Sequence, residues 1–133
     1  DSYGLTDSFN IVGYVPHNVC IEHQVAADVL VLIEGSGRGA NAFYTGKIFE
    51  YMNTNRPVLA ILPEGCAADL VRESNIGIVA NTDDVNKIKE NIKTYYDKWC
   101  SGSLDFEPDR KVIEGFERKK LTERLGEVFD KMS

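Results

Sequence analysis

FYTGKIFEYMNTNRPVLAI, residues 43–61, decides the fold. Its first half spaces Ile48, Phe49 and Met52 as one face of a helix, and Asn55-Arg56-Pro57 breaks that pattern. The chain then enters Val58-Leu59-Ala60-Ile61-Leu62, a continuous apolar run with no alternation, as expected of a parallel strand covered on both faces. A helix feeding a buried strand predicts an α/β layered domain.

The neighbouring segments extend the same pattern. Short apolar runs at 9–12, 29–33, 57–62 and 76–80 read as strands, and 18–27, 43–54 and 67–74 read as the helices between them. The expected fold is therefore a Rossmann-like parallel sheet with flanking helices and a helical C-terminal tail. From residue 83 the spacing is helical throughout. Val85, Ile88, Ile92, Tyr95, Tyr96 and Trp99 form one stripe behind a Thr82-Asp83 cap. Pro108 suits a first helical turn, after which Val112, Ile113 and Phe116 face the core. Leu121, Leu125, Val128, Phe129 and Met132 make a last stripe, also expected to be core-facing.

Bulk properties narrow the function. The 133 residues suit one domain over 1–133, with 43% hydrophobic and 27% charged residues. A net charge of −6 argues against non-specific nucleic-acid binding. Cys20, Cys66 and Cys100 form no CxxC pair and read as reduced thiols. His17 and His23 lie six apart with no completing acidic residue, so no metal site is expected. No run reaches the ~18 to 20 apolar residues that span a bilayer, and no signal peptide is evident. The reading is cytoplasmic, and the first residue, Asp1, suggests a piece of a longer protein.

In an open α/β sheet, ligands bind beyond the carboxyl ends of the strands. Here strand 29–33 runs into Glu34 and the glycine-rich Gly35-Ser36-Gly37-Arg38-Gly39-Ala40-Asn41, which leads to Thr45-Gly46-Lys47. Backbone N–H groups at Thr45, Gly46 and Lys47 are candidates for phosphate. A Walker motif fails, because Ile48 stands where a hydroxyl should hold Mg²⁺ and Asn41 where the first glycine belongs. The dinucleotide fingerprint GxGxxG is not met either. Lys47 in a first helical turn opposes the helix dipole, at a cost of ~0.3 to 1 kcal/mol. An i,i+3 ion pair with Glu50 could offset this, although lysine before glutamate is the poorer order. A bound diphosphate would instead make the lysine favourable, with Glu50 facing a neutral polar part of the same ligand, such as a ribose diol.

GYVPH (13–17), AADVLVLI (26–33), TGKIFEYMNTNRPVLAI (45–61), NIGIVA (75–80) and the closing FERKKLTERLGEVF (116–129) together resemble the nucleotide-sugar half of GT-B-fold glycosyltransferases of group 1, family 4. The resemblance implies a partial GT-B C-terminal domain whose donor is a nucleoside-diphosphate sugar. It implies retaining, metal-independent transfer without a cofactor, in polysaccharide biosynthesis. By it, Glu50 matches the second glutamate of the E-x7-E motif and binds the ribose. Thr45, Gly46 and Lys47 match the diphosphate end of that helix. Val15, Pro16 and His17 border the nucleobase pocket. The first glutamate of the motif falls at Ala42, with Arg38 or Glu34 as substitutes.

The resemblance also implies an absent N-terminal acceptor domain, two absent strand-helix units, and peripheral association of the parent protein with the inner membrane face. Catalytic residues would lie upstream. The exposed sheet edges of such a piece predict self-association or re-pairing of the first strand. Two alternatives remain: a non-catalytic nucleotide-sugar-binding module, and a GT-B-like nucleotide-sugar epimerase.

Overall fold

A computed structural model describes residues 3–37 and 39–132. Three parallel strands, β1 (Leu30–Ile33), β2 (Val58–Ile61) and β3 (Gly77–Ala80), lie in the order β1-β2-β3. The register sets Leu30 against Val58 and Val58 against Gly77. Helices α1 (His17–Ala26), α2 (Gly46–Tyr51), α3 (Cys66–Glu73) and α4 (Val85–Cys100) alternate with the strands, and α5 (Arg110–Gly115) and α6 (Arg118–Met132) follow. The architecture is a Rossmann-like α/β layer with an open sheet, as the alternation of apolar runs and helical stripes requires. No described helix is long and apolar enough to cross a membrane.

The core lies on one face of the sheet. Leu30 and Leu32 of β1, Val58 and Ala60 of β2, Ile48 and Met52 around α2, and Leu70 and Val71 of α3 are buried together. On the opposite face Leu59 is buried, whereas Val31 and Ile33 are exposed. The turns from α2 to β2 and from α3 to β3 each use an asparagine with positive φ, Asn55 at 58° and Asn75 at 50°, a conformation asparagine tolerates better than most residues. The start of α5 and the segment before it tie back onto both turns. Arg110 donates to the Asn55 carboxamide oxygen at 2.5 Å, and Asn75 donates to the Glu107 carbonyl at 2.7 Å.

Five expectations need correction. Residues 9–12 form no strand: a turn over Thr6–Ser8 precedes an irregular stretch with Ile11 91% exposed. A strand exists only through its ladder, and no described strand runs beside this segment. The helix expected over 43–54 is regular only at Gly46–Tyr51, because Phe43 is extended and Thr45 is the N-cap.

At α4 the cap is Asp84, whose carboxylate accepts the Lys87 N–H at 2.9 Å, rather than Thr82-Asp83. Pro108 stands just before the Asp109 cap of α5, outside the first turn. The stripes on α4 and α6 are the fifth correction. Tyr95 is buried, but Val85, Ile92, Tyr96 and Trp99 are exposed, as are Leu121, Leu125, Val128, Phe129 and Met132. Helix α6 packs chiefly on α5, so its apolar side has no larger surface to cover it. The expected contributions of Val112, Ile113 and Phe116 to the core do hold.

Candidate functional site

The carboxyl ends of the strands, Ile33, Ile61 and Ala80, lie along one edge of the sheet, as parallel pairing demands. The ladder continues one residue further on each side: Glu34 N–H donates to the Ile61 carbonyl and Leu62 N–H to the Ala80 carbonyl, both at 3.0 Å. The connection from β1 to α2 leaves from this edge. It turns at Gly39, in the left-handed region with φ 83°, into a 3-10 turn over Ala40–Ala42. That turn presses on the start of α3. A Cβ on Gly65, which has φ 150°, would lie 2.2 Å from the Asn41 carbonyl oxygen. Glycine is needed at Gly65 both for this approach and for its backbone angle. Arg38 lies outside the described residues.

Each side chain of α2 goes to a different neighbour. Ile48 is fully buried against the sheet. Phe49 packs on Phe116 with ring centroids 5.7 Å apart, and Tyr44 closes the group edge-on to both rings. Lys47 is exposed, and its backbone N–H donates to the Thr45 hydroxyl at 3.4 Å. The Lys47 amide expected to be open for phosphate is thus directed to the cap. Gly46 and Lys47 both border solvent.

Lys47 and Glu50 form no ion pair; the ion pairs among the described residues lie elsewhere. Glu50 instead accepts a hydrogen bond from Gln24 Nε2 at 3.3 Å. The same nitrogen lies 3.4 Å from Cys20 Sγ, and Gln24 is 9% exposed with its Oε1 buried and unpartnered. A buried carbonyl oxygen without a donor costs about 1–3 kcal/mol. The Tyr51 hydroxyl, which donates to the Val31 carbonyl at 3.5 Å, is near enough to feel two of these groups. Burial raises its pKa above the ordinary phenol value, and the neighbouring Cys20 and Glu50 add to that rise.

The remaining candidates stand apart. Pro16 is the N-cap position of α1, its carbonyl accepting the Cys20 N–H at 3.0 Å, and His17 is the first helical residue. Val15 is half-buried, while Pro16 and His17 are exposed. Helix α1 meets α2 through Gln24, seven residues beyond His17, which is about 10 Å along the axis. The structure therefore brings Thr45, Gly46, Lys47 and Glu50 together on one short helix and leaves Val15, Pro16 and His17 toward the far end of α1.

Gln24 and Cys20 were not singled out from the sequence. Their i,i+4 spacing is visible there, but polar and apolar residues alternate along α1 without a clear face, so the spacing does not say which side turns inward. Among the described residues no group of three or more His, Cys, Asp or Glu side chains could hold a metal ion. A cavity of about 260 Å³, lined in part by Pro57, Gly77, Tyr95 and Phe106, lies at the amino ends of β2 and β3, the opposite end from α2's start. Thr45, Gly46, Lys47 and Glu50 form an open surface. Compared with models of known protein families, with curated proteins and with solved structures, the chain matches none.

Proposed function

We propose that this chain is the donor-binding portion of a glycosyltransferase that takes a sugar from a nucleoside-diphosphate sugar with retention. The observation that carries the proposal is the separation of Lys47 from Glu50. With Glu50 held by Gln24, Lys47 has no ion-pair partner among the described residues, and it lies in the first turn of the helix that follows β1 in a parallel sheet. A diphosphate leaving group fits that position, since a preformed cation and a helix start stabilise charge that develops on the departing oxygen. Glu50 then accepts from the ribose hydroxyls one turn deeper. Val15, Pro16 and His17 border the base only if the ligand extends toward α1.

In this proposal the cation takes the part a metal plays elsewhere, the acceptor binds to a domain outside these residues, and the parent protein works in the cytoplasm at the inner membrane face. Calorimetric titration of the full-length parent with UDP, GDP and ADP tests it, wild type against Lys47→Ala. Weaker binding of one nucleotide by the variant supports the role of Lys47, and equal affinity for every nucleotide sinks it.

A second reading, a binding module without turnover, is favoured by Ala42. It ends the 3-10 turn beside Gly65, and no carboxylate stands at this position. Parent protein that binds the nucleotide sugar but neither hydrolyses it nor transfers the sugar would select this reading.

A further inference from the structure

We infer that Gln24 is a positioning residue for Glu50: its carboxamide holds Oε2 inward and leaves Oε1 facing the hydroxyl pair of a bound ribose. The inference rests on the reading of Glu50 given above and adds the group that orients it. Gln24 reaches α2 from the last turns of α1 and is nearly fully buried. Its nitrogen is directed to two acceptors, Glu50 Oε2 and Cys20 Sγ, while its oxygen has no donor. Rotating the amide by half a turn would set that oxygen against the carboxylate, so the charge on Glu50 dictates which way Gln24 points.

The constraint runs in both directions. Glu50 belongs to a six-residue helix and has no ion pair among the described residues, so without Gln24 its side chain would sample several rotamers. A carboxylate offers about four acceptor sites, and one inward bond leaves enough for two hydroxyl donors. Holding the acceptor in place before the ligand arrives lowers the ordering cost of binding.

The test compares ribonucleotides with their 2′,3′-dideoxy counterparts, UDP, GDP and ADP being the probes, in wild type and Gln24→Met. Methionine keeps the length and apolar volume but cannot donate. Wild type is expected to prefer one ribonucleotide by roughly tenfold or more, the equivalent of one charge-assisted hydrogen bond, and Gln24→Met to lose most of that preference. Gln24→Leu, similar in volume and likewise without a donor, provides the same comparison if the methionine variant does not fold. A preference unchanged in the variant overturns the role of Gln24 and leaves that of Glu50 standing. No preference in the wild type overturns both.

Discussion

The Tyr95 hydroxyl donates to the Val58 carbonyl at 3.2 Å, fastening α4 to the middle strand. Burial pushes the Tyr95 pKa up to about 12, partly offset by the Ile78 backbone. Because the folded pKa lies above the ordinary phenol value of 10, this contribution is complete below pH 10 and lost as the pH rises toward 12. Tyr95→Phe should lower stability by about 1–2 kcal/mol near neutral pH and flatten the alkaline fall. Urea unfolding followed from pH 8 to 12 measures both, and an unchanged alkaline slope would contradict the assignment.

Gly77 faces the same carbonyl. A Cβ there would lie 1.8 Å from the Val58 oxygen, a contact that only movement of β3 relieves. Gly77→Ala is expected to cost about 3 kcal/mol or more. Gly126 is the contrast, inside α6 with open space around it. Gly126→Ala should stabilise by about 0.5–1 kcal/mol, and melting temperatures moving in opposite directions would verify the pair.

Ile48 anchors α2, and with it the candidate site, to the core. Its side chain is fully buried among Leu32, Met52 and the other residues of the apolar cluster. Ile48→Ala is expected to destabilise by about 2–5 kcal/mol. Equilibrium denaturation gives the value, and a loss below about 1 kcal/mol would mean that α2 is not held by this contact.

Val31 and Ile33 lie on the less covered face of the sheet, and Ile92, Tyr96 and Trp99 of α4 are also exposed. The Trp99 indole donates to Asp28 at 3.1 Å, which brings the end of α4 close to the start of β1. Apolar surface of this kind drives association. At about 100 μM the chain should sediment as more than a monomer, and Ile33→Lys combined with Tyr96→Lys should reduce the association. A monodisperse wild-type monomer would refute this.

Much of the fold was legible because each element carried its own signal. The apolar runs at 29–33, 57–62 and 76–80 became β1, β2 and β3, and the helices at 18–27 and 67–74 shifted by a single residue. The site was legible in part. Thr45 does cap α2, but the partner of Glu50 comes from a residue 26 positions away, and no local spacing could have named it.

What the sequence by itself determined, then, is the series of strands and helices, since hydrophobic period, caps and turn residues act over a few neighbours. Only the tertiary structure decided which apolar groups were covered. Phe9-Asn10-Ile11-Val12 has a strand's composition and no ladder, and the stripe on α6 has a helix's period and little to pack against. It also decided that Glu50 turns to Gln24 rather than to Lys47. Secondary structure follows from local chemistry, whereas burial and pairing depend on which surfaces the rest of the chain brings near.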